Sequence, residues 1–189
     1  MKVATKPYGI VEADERQRIT FPQGILGFES LKDYVLLDAE RQPFYWLQSA
    51  VNDQVAFILI NPFIFRPDYE ANIDNEELKT IGISDPKTAL IFSIVTIPAD
   101  GPMTANLQGP LVINRETRHG LQAVLTDPRW RTKHNIVEEL EAANTAGSIG
   151  SAGSDRSHGS HGYNGSRVSD GSGTSAGRAA INGSLPEGK

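Results

Sequence analysis

Apolar residues along the chain come in short runs that are rich in β-branched and aromatic side chains and are separated by proline, glycine and asparagine. Runs of this kind predict β-strands. The predicted strands cover residues 34–37, 44–47, 55–60, 88–97, 111–113 and 121–125, with 16–21 as a further candidate. Because these strands follow one another without long helices between them, we expect a mostly antiparallel sheet rather than a parallel α/β sheet.

Only two segments have the pattern of a helix. Residues 74–81 begin with Asp74 at a cap position and carry acids in the first turn, where the helix dipole favours them. Residues 135–143 carry apolar side chains at helical spacing, and Gly147 then favours a stop. The predicted fold class is therefore all-β with minor α, a single antiparallel β-barrel-like domain with two short helices.

The composition changes sharply near the C-terminal quarter of the chain. Residues 144–189 are rich in glycine and serine and contain few large apolar side chains. Such a segment buries too little apolar surface to offset the entropy of ordering itself. We therefore predict a folded domain at 1–143 and a disordered Gly/Ser-rich tail at 144–189.

Charge and cysteine content exclude several classes of protein. The chain has no cysteine, so disulfide frameworks, thiolate metal sites and cysteine nucleophiles are excluded. Its net charge of −5 does not favour contact with a nucleic-acid backbone. The N-terminal residues lack the apolar core of a signal peptide, and the longest apolar run, 55–60, is too short to span a membrane. A cytoplasmic protein with no membrane contact is expected.

Motifs that carry enzyme chemistry are scarce. The sequence has no Gly-x-Gly-x-x-Gly, no phosphate-binding loop and no Gly-x-Ser-x-Gly. His119 and His134 lack acidic partners at ligand spacing, so no metal and no cofactor is predicted. Clustered acids at 12–15 and 68–77 leave one alternative open, a small-substrate enzyme or carbohydrate-binding barrel that uses paired carboxylates. A solvated acidic face is the simpler interpretation.

One short basic cluster, residues 129–134, surrounds Trp130. An aromatic side chain between cations is a common way to hold single-stranded RNA. We favour the other interpretation, in which Trp130 anchors the chain to the core and its charged neighbours are solvated. No direct contact with nucleic acid is therefore expected.

Residues 98–114 form the most unusual segment, with prolines, glycines and unpaired amides before a predicted strand. Asn106 and Gln108 could satisfy backbone groups at a strand edge. They could equally present hydrogen bonds to a partner beside the apolar Met103 and Leu107. A second segment, 21–28, places two phenylalanines around paired glycines and predicts a tight turn. The residues assigned to the core are Phe21, Phe28, Trp46, Leu111 and Ile113.

Three motifs occur in order along the domain: Phe21-Pro-x-Gly-Ile-x-Gly-Phe28, then Phe44-Tyr-Trp-Leu-Gln-Ser49 with Asp53, then Met103-Thr-Ala-Asn-Leu-x-Gly-Pro-Leu-Val-Ile-Asn114. In this order and spacing, over about residues 8–135, the chain resembles the FliW family of flagellar assembly factors. The Gly/Ser-rich tail departs from the family pattern, in which the chain usually ends soon after the last element of the barrel.

The resemblance implies a non-enzymatic regulator of flagellum biogenesis. Family members bind newly made flagellin in the cytoplasm and, alternatively, CsrA, an RNA-binding repressor of flagellin translation. On this basis flagellin and CsrA are the expected partners. The residues expected at the partner surface are Met103, Thr104, Asn106 and Gln108 with Asp53, and Asp14 and Glu15 are further contributors.

Overall fold

The computed structural model describes residues 1–149 and 178–181. In this part of the chain thirteen short strands and two α-helices follow one another. The strands are β1 (Lys2–Thr5), β2 (Gly9–Glu12), β3 (Arg18–Thr20), β4 (Asp33–Asp38), β5 (Phe44–Ser49), β6 (Ala56–Ile60), β7 (Ala71–Asp74), β8 (Ala89–Thr96), β9 (Thr104–Ala105), β10 (Leu111–Asn114), β11 (Gly120–Gln122), β12 (His134–Asn135) and β13 (Arg178–Ile181). The helices are α1 (Asn75–Thr80) and α2 (Ile136–Ile149).

The main sheet has nine strands. Its central order is β11-β10-β8-β6-β5-β4-β3, with β9 paired to β8 and β12 paired to β9. Every strand pair is antiparallel, which confirms the predicted all-β antiparallel fold. The two ends of the order meet at one isolated bridge, between Thr20 and His119, where the Thr20 N–H donates to the Arg118 carbonyl at 3.0 Å. The sheet therefore curls like a barrel, but no ladder of paired residues closes it.

The two faces of the sheet bury different cores, because side chains alternate along each strand. On β5, Leu47 belongs to a core that fills the inside of the curl with Ile19, Phe21 and Phe92. Trp46 points to the other face. That face is covered at one end by the β1–β2 hairpin and at the other by a larger core that includes Trp130, Ile136 and residues of β7.

The turn at 21–28 depends on one glycine. Gly24 has a φ of +79°, and a Cβ placed there would lie 2.6 Å from the Cα of Glu29. Only glycine fits this close approach in the left-handed region, so the predicted tight turn is confirmed. Phe21 packs into the core at its start, whereas Phe28 is 37% exposed and lies edge-on to Phe57. The assignment of Phe28 to the core was therefore wrong.

Most predicted strands are present with bounds shifted by a residue or two. The predicted strand at 121–125 is shorter, since pairing ends at Gln122. The prediction missed the hairpin of β1 and β2 and the short strands β7, β9 and β12. Helix α1 matches its prediction, and the Asp74 carboxylate accepts the Glu76 N–H at 2.8 Å as its cap.

Two described elements lie within the segment 144–189, which we predicted to be a Gly/Ser-rich tail. Helix α2 continues past Gly147 to Ile149, because a single glycine lowers helix stability without necessarily ending the helix. Residues Arg178–Ile181 form strand β13, which pairs with β7. The other residues of the predicted tail lie outside the described residues.

Candidate partner-binding groove

Residues 103–108 are held in place on both sides by backbone pairing. Strand β9 pairs with β8, with Thr104 opposite Thr96, and with β12, with Thr104 opposite Asn135. The carbonyl of Met103 accepts the first backbone N–H of α2, from Ile136, at 3.1 Å. The segment therefore has a fixed path across the edge of the sheet.

The amide of Asn106 completes a turn within this segment. Its Oδ1 accepts the Gly109 N–H at 2.8 Å, and the backbone N–H of Asn106 donates to the Ile94 carbonyl at 2.9 Å. The Asn106 side chain thus accepts a hydrogen bond from a backbone N–H. This is the structural one of the two roles that the sequence left open for it. Gln108 is bonded through its backbone, donating to Arg131 at 3.3 Å and accepting from Leu125 at 2.8 Å.

A groove of about 560 Å³ opens beside Met103. Its floor is the outer face of the sheet, formed by Phe44, Trp46 and Ile58, all of which are half-buried. One wall comes from the β1–β2 hairpin at Tyr8, where the phenol oxygen accepts the Glu40 N–H at 3.1 Å. The floor lies between the two covering layers of this face, so its aromatic side chains remain accessible.

The opposite wall is the loop that follows β8. It contributes Ile97 and Gly101 together with Met103. Ile97 is 59% exposed although it is a large aliphatic residue. Glu40 and Arg41 line the rim with both signs of charge. Accessible apolar side chains with a polar rim are typical of a surface that binds another protein.

The predicted acidic contributors do not join this groove. Asp53 lies exposed in the turn between β5 and β6, where its carboxylate accepts from Gln54 at 3.2 Å. Asp14 lines a different cavity of about 460 Å³ together with Tyr45, which points to the other face of β5. Glu15 follows Asp14 in an exposed 3₁₀ turn.

Asp14 has a local structural role. Its carboxylate caps the 3₁₀ turn by accepting the Arg16 N–H at 2.8 Å, and it also pairs with the Arg16 guanidinium at 3.1 Å. The hydrogen bonds from the Arg16 side chain and backbone lower the pKa of Asp14 to about 2. Asp14 is thus ionised at all ordinary pH values.

Every resolved pKa shift of a carboxylate in the described residues is downward. Hydrogen bonds to arginine side chains lower the pKa of Asp68 and Asp127, and the Gly27 N–H lowers the pKa of Glu29. A paired-carboxylate enzyme needs one carboxyl whose pKa is raised by burial or by a like charge. None of the shifts resolved in the described part of the chain is of that kind.

Trp130 is only 1% exposed, and two guanidinium groups contact its ring. Arg66 and Arg129 each stand 4.9 Å from its ring. Their charges are paired in turn, Arg66 with Asp68 and Glu139, and Arg129 with Asp127 and Glu70. A base cannot stack on a ring that is buried in the core, so the core-anchor interpretation of Trp130 is confirmed.

His134 completes the same cluster. Its Nε2 accepts the Arg131 N–H at 3.0 Å, which leaves Nδ1 to face Glu139 at 2.6 Å. The ring is 2% exposed. In the part of the chain that the structure describes, no group of three His, Cys, Asp or Glu residues could hold a metal ion. No helix there is long and apolar enough to cross a membrane.

The fold and the groove together define a class: a small antiparallel β protein with an accessible apolar groove on one face of its sheet. Comparison with known proteins is more specific. The family model for the FliW protein matches residues 2–136. The chain therefore belongs to the FliW family of flagellar assembly factors.

Individual relatives agree with this assignment. The chain is 51% identical over 144 residues to the flagellar assembly factor FliW of Treponema denticola, a match that covers 76% of this chain and 98% of that protein. It is 45% identical to the FliW of Treponema pallidum, with 74% and 94% covered. A crystal structure of the flagellar assembly factor FliW superposes with a TM-score of 0.67 at 40% identity, covering 72% of this chain and 96% of that one.

Sequence reasoning missed most of the groove. Trp46 was assigned to the core, and Tyr8, Ile58 and Ile97 were not singled out. One signal was available on β5, where Phe44 and Trp46 alternate with Tyr45 and Leu47. A strand that is apolar on both faces must be covered on both or expose one of them.

Proposed function

We propose that this chain binds newly made flagellin in the cytoplasm and, once flagellin has been exported, binds CsrA instead. CsrA held in this way has a lower affinity for flagellin mRNA, so translation of flagellin resumes. A coupling free energy of about 1–3 kcal/mol between two sites on CsrA lowers its RNA affinity roughly 5- to 150-fold. The chain itself makes no contact with RNA and carries out no catalysis.

The observation that carries this proposal is the groove floor of Phe44, Trp46 and Ile58 beside Met103. Aromatic and methionine side chains are enriched at protein interfaces, and a few of them supply most of the binding free energy. Met103 opens the most specific of the FliW-like motifs and lines the groove wall. Since one groove serves both proteins, the two partners exclude each other.

Calorimetric titration of the full chain with CsrA from the same cell tests the proposal. We expect tight binding to CsrA alone and no heat from CsrA when flagellin is already bound. Simultaneous binding of both proteins would show that they do not share one groove. If the folded protein binds neither partner, the proposed function is wrong. Binding to single-stranded RNA would instead support the RNA-contact interpretation of residues 129–134.

A further inference from the structure

Strand β7 has one hydrogen-bonding neighbour among the described residues, and that neighbour comes from the far end of the chain. Strand β13 pairs with it antiparallel in a two-stranded sheet, with Arg178 opposite Asp74 and Ile181 opposite Ala71. Without β13 the edge of β7 would present unpaired N–H and C=O groups, which readily accept another strand.

The side chains across this pair are matched in size. Small Ala71 faces large Ile181, and large Ile73 faces small Ala179. Ile181 is 2% exposed and belongs to the same core as Ala71 and Ile73, and Ala179 packs against that core from the side. Such pairs contribute to sheet stability beyond the backbone hydrogen bonds. The edge of β7 therefore favours a strand that carries a small residue and, two positions later, a branched aliphatic residue.

The segment that fills this edge is absent from the matched region of the family. The family match ends at residue 136, and a relative that is covered over 98% of its own length matches 76% of this chain. Strand β13 therefore lies outside the region that this chain shares with its relatives.

A groove of about 500 Å³ lies beside Ala179, next to the strand. Its lining is mixed: Pro86 and the almost fully buried Leu78 lie there together with polar side chains that include Glu76 and Lys79. A partner segment that extends beyond the four residues of β13 would meet both apolar and polar side chains there.

We propose that the edge of β7 is a strand-addition site for an extended peptide of another protein with a small residue followed two positions later by a branched aliphatic residue, and that Arg178–Ile181 occupies this site in cis. The C-terminal strand then acts as a gate, because a partner segment binds only when it displaces β13. Main-chain bonds supply the affinity and the two inward side chains supply the selectivity, as in other cases of strand addition. The proposal does not depend on which protein binds the Met103 groove.

The test uses the full chain in three forms: unchanged, with Ile181→Asp, and with Leu185→Asp as a control that adds the same charge to the tail outside β13. The probe is a synthetic peptide with the sequence of residues 175–184, and the same peptide with Asp at the position of Ile181 is the negative probe. Binding is measured by calorimetry. Hydrogen exchange of the β7 amides is followed in parallel.

We expect the Ile181→Asp chain to bind the peptide at least tenfold more tightly than the unchanged chain and the Leu185→Asp chain do. Its β7 amides should exchange at least tenfold faster and slow again when the peptide is added. The negative probe should not bind. If Ile181→Asp lowers the melting temperature so far that the chain is not folded, Ile181→Ala replaces it, with the same order of affinities expected.

Two results would overturn the proposal. The first is a folded Ile181 variant that neither binds the peptide nor exchanges its β7 amides faster, which would mean that β13 does not cover this edge. The second is an unchanged chain that light scattering shows to be a dimer and an Ile181→Asp chain that is a monomer. In that case β13 would be donated by a second copy rather than in cis.

Discussion

The phenol of Tyr69 donates a hydrogen bond to the backbone carbonyl of Leu107 at 2.8 Å, and both residues are buried. This bond ties the segment 103–108 to the core beneath it, because Tyr69 also stacks edge-on against Trp130. Tyr34 is equally buried, but its hydroxyl has no hydrogen-bond partner among the described residues. These two buried phenols therefore differ in whether the hydroxyl has a hydrogen-bond partner among the described residues.

Replacing each of these tyrosines by phenylalanine should separate the two cases. Tyr69→Phe leaves the Leu107 carbonyl without its donor and should lower the free energy of unfolding by about 1–2 kcal/mol. Tyr34→Phe removes a buried hydroxyl that is not bonded, so stability should stay within about 0.5 kcal/mol or rise. Urea unfolding of both variants measures the difference. Equal losses in the two variants would mean that the bond from Tyr69 contributes nothing.

Tyr34 also predicts a pH dependence at alkaline pH. Burial raises its pKa to about 12, whereas an unfolded tyrosine ionises near pH 10. The unfolded chain therefore loses this proton first, so the contribution of Tyr34 to stability is complete below pH 10 and falls as the pH rises from 10 towards 12. Unfolding of the native chain and of Tyr34→Phe, measured at roughly pH 8 and pH 11, should show the smaller loss in the variant. A loss of the same size in both would assign the alkaline sensitivity to other groups.

The strands that the sequence predicted and those that it missed differ in a simple physical way. Strand β8 is eight residues long and buried along most of its length, so its apolar run stands out. Strands β9 and β12 have two residues each and owe their conformation to their neighbours rather than to any local pattern. Strand β13 lies in a segment whose composition predicts disorder, and pairing with β7 outweighs that local tendency.

The groove could be predicted only in part for a related reason. The segment that begins at Met103 stood out because its amides and prolines do not fit a regular strand. Trp46 did not, because a buried aromatic residue and a groove-lining one have the same local pattern on a strand. Whether Trp46 is buried or lines a groove depends on how far the β1–β2 hairpin lies from the loop after β8. No short-range sequence pattern encodes the distance between these two segments.

Asn106 and Gln108, which were predicted for the partner surface, should now behave differently from each other. Asn106→Ala removes the acceptor of the Gly109 N–H and should cost about 1 kcal/mol of stability. The hydrogen bonds that hold Gln108 at 3.3 and 2.8 Å use its backbone, so Gln108→Ala should change stability by less than about 0.5 kcal/mol. Thermal unfolding of the two variants gives the comparison.

Partner binding by the same two variants gives a second measurement. If Gln108 lies at the partner surface, Gln108→Ala weakens CsrA or flagellin binding while its melting temperature stays the same. An unchanged affinity in that variant would mean that Gln108 is not part of the partner surface. For Asn106→Ala, the destabilised turn can itself lower the affinity. A direct contact of Asn106 with the partner is indicated only by a loss of binding free energy larger than the loss of stability.

The last prediction concerns the groove as a whole and uses two exposed aliphatic residues as a matched pair. Ile97 is 59% exposed and lines the groove, whereas Leu26 is 61% exposed and lies in the turn at 21–28. Both can take an aspartate without burying a charge, so neither variant should lose more than about 0.5 kcal/mol of stability. Ile97→Asp places a charge against the apolar floor of the groove and should weaken binding of CsrA and of flagellin at least tenfold, since hot-spot contacts are typically worth about 2 kcal/mol or more.

Leu26→Asp, which adds the same charge at the same exposure, should leave both affinities within about twofold. Calorimetry with each partner makes the comparison under identical conditions. Because the groove is shared in the proposed mechanism, Ile97→Asp must affect both partners. A variant that loses CsrA but keeps flagellin would show that the two proteins use different surfaces, and their mutual exclusion would then require a change of conformation rather than a single groove.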